Sequence, residues 1–170
     1  MNTTLPILED LKAEVERRIF QESIPRIKQC LAQLETKEIW YKANANSNSV
    51  GNLVLHLCGN ARQWIVAGMT DQIDQRDRDK EFNEAGPIPT ETLIQLLDQT
   101  QAEVQATLQQ LTTADLFKVY QVQGFKEKGL SILIHVVEHF SYHTGQITYF
   151  VKLRKNIDTG YYADLDLNLK

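Results

Sequence analysis

Apolar residues recur at helical spacing in four stretches of this chain, and no stretch shows the period of two expected of a half-buried strand. The first stretch places Leu8, Leu11, Val15, Ile19, Ile27, Leu31 and Leu34 on one face, with Pro25 inside it. Proline removes a backbone donor and crowds the preceding turn, so this long helix is expected to bend or break there. A polar, asparagine-rich segment covers residues 42–48. After it, Ser47 or Ser49 is placed to cap a second helix that begins near Val50 and reads VGNLVLHLCGNARQWIVAG. Thr90 opens a third helix with the stripe Leu93, Leu97, Val104, Leu108 and Leu111, in which Gln101 is the one polar lapse. A short turn at Thr113 to Phe117 and a glycine-containing loop over residues 124–129 lead to the last helix, Leu130 to Lys155.

The charged segment 71–89, closed by Gly86, Pro87 and Pro89, separates the second helix from the third. It exceeds the roughly two to eight residues that usually join neighbouring helices of a bundle, and such a length suits a crossover between parallel helices. The expected fold is all-α, a four-helix bundle with its long connection between helices two and three. With 170 residues and 42% hydrophobic content, the chain is expected to form one domain spanning 1–170.

Composition narrows the partners. A net charge of −4 leaves no excess of Lys and Arg for a phosphate backbone, so no nucleic acid is expected and a small-molecule substrate is the better fit. No apolar run reaches the roughly 18 residues of a membrane span, and the first residues have no signal-peptide pattern, so the expectation is a cytoplasmic protein with no membrane association. The two cysteines, Cys30 and Cys58, lie in apolar helical patterns and read as small packed hydrophobes.

The last helix carries the chemistry. Its stripe runs Ile132, Val136, His139, His143, Ile147 and Phe150, so two histidines occupy core positions. Buried imidazoles with unmade hydrogen bonds cost about 1–3 kcal/mol each. An i, i+4 pair places both rings on one helix face at chelating distance, and a metal ion would supply the missing partner. A third ligand must come from another helix, where His56 is the only histidine, on the flank of the stripe Val50, Leu53, Val54, Leu57, Ala61, Trp64. Spacing alone leaves two readings open: a metal on His56, His139 and His143, or a hydrogen-bonded core network. His135, one turn before His139, reads as a hydrogen-bond partner behind the ligands or a packed helix residue.

Residues His135 to His139 also match the H-x-x-E-H pattern of inverted zinc proteases, with Glu138 as general base. That site needs a later acidic ligand, yet no glutamate follows Glu138. The pattern also points Glu138 away from the line through His139 and His143.

The stretches 49–64 (SVGNLVLHLCGNARQW), 76–82 (RDRDKEF) and 136–146 (VVEHFSYHTGQ) resemble a branch of the DinB/YfiT-like superfamily described as a domain of unknown function. The resemblance runs from the first helix to Gly160, Tyr161 and Tyr162. It implies an up-down-down-up four-helix bundle and one divalent metal, nickel or zinc, on His56, His139 and His143. The superfamily's H-x-x-x-H-R-G-Q ending stands here as His143-Thr144-Gly145-Gln146, with threonine in place of arginine. The resemblance further implies a thiol-dependent transferase or isomerase using a low-molecular-weight thiol, or a metal-dependent hydrolase, and a homodimer. The rival expectation is a non-enzymatic, stress-related or metal-binding bundle.

Asn52 and Asn60, one turn either side of His56, and Gln146, one turn beyond His143, are candidates for supporting the ligands, or equally helix-packing amides. Asp77, Arg78 and Glu81 in the crossover suggest an entrance role, against the ordinary reading of a charge run as solvated surface. Trp40, Trp64, Phe140, Tyr142 and Tyr149 read as core or interface aromatics.

Overall fold

A computed structural model describes residues 4–169. Helix α1 spans residues 4–32 in three parts: α-helix over Thr4–Glu16, wider π-helical turns over Arg17–Ser23, and α-helix again over Ile24–Ala32. Pro25 sits in the first turn of the last part, directly after the π-helical turns. Proline has no N–H to give the carbonyl four residues back and its ring crowds that carbonyl; the wider turn takes up the mismatch, and the helix continues where a bend or break was expected. A single turn, α2 (Thr36–Ile39), follows.

Helix α3 spans residues 50–67, α-helical over Val50–Ala61 and π-helical over Arg62–Ala67. Ser49 is its cap, its Oγ accepting from Asn52 N at 3.1 Å. The crossover is not all loop, because it contains α4 (Arg78–Asn83), capped by Asp77. Then come α5 (Thr90–Gln110), the short α6 (Thr113–Phe117), and α7 (Gly129–Lys155). The described residues thus form seven helices, with α1, α3, α5 and α7 as the four long members of the bundle. None of the described helices is long and apolar enough to cross a membrane.

A loop was expected before α7, and a β-hairpin stands there instead: β1 (Val119–Val122) pairs antiparallel with β2 (Phe125–Lys128). Gln123 and Gly124 both take positive φ, 52° and 84°, as a two-residue hairpin turn requires. Only β1 alternates, burying Tyr120 and Val122, and four residues of alternation are too few to stand out from the helical patterns around them.

The core is one continuous apolar cluster between the long helices. Its polar lapses on α5 are Thr100 and Thr107 rather than the half-buried Gln101. Their hydroxyls donate back to the carbonyls of Leu96 and Glu103, so neither is left unpaired.

The crossover is fastened to α3 by backbone contacts. Asn52 Nδ2 donates to the carbonyls of Glu81 and Glu84, both at 2.8 Å. The Trp40 ring lies against Gly51 and Gly86, where a Cβ would come within 2.7 Å of it at the first and 2.6 Å at the second. Gly86 also has φ +69°, a conformation that favours glycine.

Candidate metal centre

Helix α3 brings His56, and α7 brings His139 and His143, to one place in the bundle. The three offer ligand atoms that all lie within 4.8 Å of one another, a group able to hold a metal ion. Ring centroids are 4.8 Å apart for His56 and His139, 5.2 Å for His56 and His143, and 4.6 Å for His139 and His143. His56 and His143 are buried and His139 is half-buried.

The hydrogen bonds bear on which nitrogen each ring has free. His143 Nδ1 lies 2.7 Å from Gln146 Oε1, an acceptor, so Nδ1 carries the proton and Nε2 keeps its lone pair. His56 Nδ1 lies 3.0 Å both from Glu81 Oε2, an acceptor, and from Arg76 Nη2, a donor; the tautomer in which Nδ1–H donates to the carboxylate is the one that leaves Nε2 its lone pair for a metal. His139 Nε2 is buried with no hydrogen-bond partner. An orphaned ring nitrogen inside a cluster of imidazoles costs about 1–3 kcal/mol, a cost that coordination to a cation removes. The residues present therefore fit a metal ion.

Electrostatics agree with that fit. Burial, reinforced by His143 and His56, pushes His139 down to about 3. Burial also lowers His143, against an opposing contribution from Gln146. Both rings are neutral at pH 7, the form in which imidazole ligates. Glu81 is raised by burial, but hydrogen bonds from Arg76 and His56 outweigh this and hold it below the ordinary carboxylate range. It is ionised where it faces His56.

The sequence reading missed Arg76, and it named Glu81 for an entrance role rather than as a partner of His56. Arg76 Nε donates to Oε1 at 2.7 Å and Nη2 to Oε2 at 2.8 Å, a two-bonded pair with side chains only 3% and 10% exposed. The charge run 76–81 is thus not a solvated surface at these two positions. Gly59 makes the arrangement possible, since a Cβ there would stand 2.8 Å from Glu81 Cδ and 3.0 Å from Arg76 Nε. A glycine in the middle of an otherwise apolar helix was the available signal.

The other candidates fall in different places. Gln146 bonds His143 directly, whereas Asn52 reaches the backbone of α4 rather than His56. Asn60 is buried, its Nδ2 3.5 Å from His135 Nε2 and its Oδ1 unpartnered. His135 is half-buried, lies outside the three-histidine group and stacks on Trp64, centroids 4.0 Å apart. Glu138 is exposed and lines a groove between α1 and α7 instead of the histidine cluster, so the structure gives the protease pattern no base. Asp77 caps α4, while Arg78 faces a cavity beside the histidines. Phe140 and Trp64 are buried, but Tyr142 and Tyr149 are exposed on α7 and do not belong to the core.

That cavity measures about 360 Å³ and is lined by His56, His139, Trp64, Arg78, Phe125 and Glu127 among others. Among the described residues its lining includes no serine, threonine, cysteine or lysine.

The fold has counterparts among solved structures. A DinB-like protein from Bacillus cereus ATCC 10987 aligns with a TM-score of 0.61 at 16% identity, over 82% of this chain and 90% of that one. A DinB-like protein from Bacillus subtilis (YjoA) aligns at 0.61 and 16%, over 88% and 94%. A conserved protein from Enterococcus faecalis aligns at 0.63 and 17%, over 92% and 99%. At such identities the likeness establishes a DinB-like fold and nothing about activity. No protein of curated function matches the chain. One protein family does match, along residues 10–162 and so through both histidine-bearing helices and the crossover between them: the chain belongs to the family described as protein of unknown function, DUF1572.

Proposed function

We propose that His56, His139 and His143 hold one divalent metal ion, nickel or zinc, and that the protein is a metal-dependent enzyme of the thiol-dependent transferase type acting on a small molecule. The observation that carries this is the orphaned Nε2 of His139 within a group of ligand atoms all inside 4.8 Å of one another. Three protein ligands leave a position open, the pattern of a catalytic site rather than a closed structural one. When bound, such an ion acidifies a water or thiol and polarises a carbonyl.

The chain's own residues do the rest. Glu81 and Gln146 fix the tautomers of His56 and His143. Trp64 and Phe125 give the cavity one apolar wall. Among the described residues the cavity lining offers no serine, threonine, cysteine or lysine as a nucleophile; Cys58 is buried, its thiol pushed up to about 12 by burial, and Cys30 is buried too. The attacking atom therefore arrives from outside, and a small thiol from a reducing cytoplasm meets that need. Water would meet it as well, which is the hydrolase reading. A non-enzymatic bundle would bind the metal and turn over nothing.

The test is metal content by elemental mass spectrometry on untagged protein, with His56→Ala and His139→Ala beside it. About one ion per chain, lost in both variants, is the expected result. The loaded protein is then assayed with a small thiol and an electrophile, and separately with esters and amides without thiol. A native chain that stays metal-free after reconstitution refutes the reading.

A further inference from the structure

The cavity beside His56 and His139 has walls of unlike chemistry. One is aromatic: Trp64 holds His135 against its face, and Phe125, near the tip of the hairpin, lies 6.2 Å from Trp64 at 31°. Gln123 in the turn fixes this wall, its Oε1 accepting from Trp64 Nε1 at 3.0 Å. Phe125 is nonetheless 57% exposed, an apolar ring left in water at the cavity mouth. An apolar ligand surface laid on it would remove that exposure.

The crossover supplies Arg76 and Arg78 to the same cavity. Arg76 is committed to Glu81. Arg78 is not committed to any acid among the described residues, since Glu81 is taken by Arg76 and Asp77 by Lys80. Its guanidinium lies 4.8 Å over the Phe82 ring, and Phe82 in turn packs 4.6 Å from the His56 ring. Stacking thus holds the cation beside the histidine cluster with its planar face occupied and its N–H edge unused. That edge is the part of arginine that receives a carboxylate.

The sum of charges points the same way. Arg76 and Glu81 cancel, and Arg78 is offset by Glu127, the remaining acid of the lining. A divalent ion on three neutral imidazoles adds two positive charges, and an incoming thiolate or hydroxide removes one. One positive charge remains in a partly enclosed site, where uncompensated charge is costly. A substrate monoanion balances it, whereas a cation adds to the excess.

Resting on the metal reading above, we infer that the substrate is a small monocarboxylate with a planar apolar body, its carboxylate seated on Arg78 and its body against Phe125 and Trp64. A cavity of about 360 Å³ sets the size at the small end of ligand sites.

The test titrates the full zinc-loaded chain by calorimetry with three probes of one shape: 3-phenylpropionate, 3-phenylpropionamide and 3-phenylpropylammonium. The carboxylate is expected to bind about tenfold tighter than the amide, and the cation weakest, as for a charge-assisted hydrogen-bonded pair. Arg78→Met keeps an unbranched stem over Phe82 and is expected to abolish that preference while leaving the amide within about twofold; Arg78→Lys restores part of it. Phe125→Ala weakens carboxylate and amide alike. Equal binding of carboxylate and amide, no binding of any probe, or a preference that survives Arg78→Met overturns the inference. Failure of the metal reading shows separately, as absence of metal from the same preparation. The titrations then run on metal-free protein, where a preference lost in Arg78→Met still supports the arginine seat and a preference unchanged still overturns it.

Discussion

Removing the Glu81 carboxylate separates two roles that the structure joins in one side chain. Its oxygens take three hydrogen bonds, from Arg76 Nε at 2.7 Å, Arg76 Nη2 at 2.8 Å and His56 Nδ1 at 3.0 Å. The Arg76 side chain is 3% exposed, so Glu81→Ala leaves a guanidinium almost out of water with no counter-charge, its Nη1 still donating to Gln63 Oε1 at 2.8 Å. Breaking a buried pair by deleting one partner costs about 3–5 kcal/mol. Arg76 also borders two cavities that admit water, which places the expected loss near the lower end, about 3 kcal/mol. For a chain of this length that is about 6–12 °C in Tm. The same change removes the acceptor that fixes the His56 tautomer, and metal affinity is expected to fall about 10- to 100-fold.

The double variant Arg76→Met with Glu81→Met removes both charges. Stability should then return close to that of the parent, because well-packed apolar replacements of buried pairs are near neutral. Metal affinity should stay low, since His56 Nδ1 still lacks its acceptor. Urea unfolding with a chelator present reads the first quantity, and competition against a colorimetric chelator reads the second. A loss below about 1 kcal/mol in Glu81→Ala, well short of the cost of a stranded buried charge, refutes the reasoning, as does metal affinity that recovers together with stability in the double variant.

Gly59→Ala places a Cβ 2.8 Å from Glu81 Cδ and should destabilise by about 1–3 kcal/mol, with little further loss when Glu81→Ala is added; urea midpoints of the single and double variants check this. Cys30 and Cys58 are both buried, and burial pushes Cys58 up to about 12, so a disulfide reagent such as DTNB should find no reactive thiol in the native chain and two after denaturation. Glu38 is held at about 2 by Lys155, the Glu35 backbone N–H and Arg154, below its ordinary 4.5. A depressed carboxyl stabilises fully above its unfolded value and loses that contribution as pH falls from about 4.5 to about 2. Glu38→Gln should accordingly flatten the acid limb of stability in that window, measured as urea midpoint against pH.

What the sequence disclosed follows the reach of its periodicities. The long helices were legible because Leu93, Leu97, Val104 and Leu108, or Ile132, Val136 and Ile147, repeat often enough to outweigh chance. His139 and His143 were legible for the same reason, as polar residues standing where the repeat requires apolar ones. The hairpin was not, since β2 reads Phe-Lys-Glu-Lys with three of its four residues exposed, and such a strand carries no burial pattern. Arg76 escaped, and Glu81 was read only as an entrance residue, because charge pattern records only what a segment contains, while their burial depends on Gly59 of α3, seventeen residues before Arg76 and twenty-two before Glu81.

The crossover therefore belongs to the site through its backbone as much as through its side chains. Helix α4 is six residues long, too short to persist alone in water. Asp77 caps its start, and Asn52 of α3 takes up the carbonyls of Glu81 and Glu84, groups that a helix end leaves unpaired. Trp40, seated against Gly51 and Gly86, ties the far end of the crossover to the same face of α3. α4 consequently holds its place only where α3 is already formed, and α3 is the helix that carries His56. The carboxylate that orients His56, the arginine that keeps that carboxylate ionised and the arginine left uncommitted at the cavity mouth all hang from this one short segment. Metal affinity and cavity chemistry are thus set together by how the crossover is fastened. A substitution at Asn52, whose side chain bonds neither a histidine nor the cavity lining, acts on both through the backbone it holds.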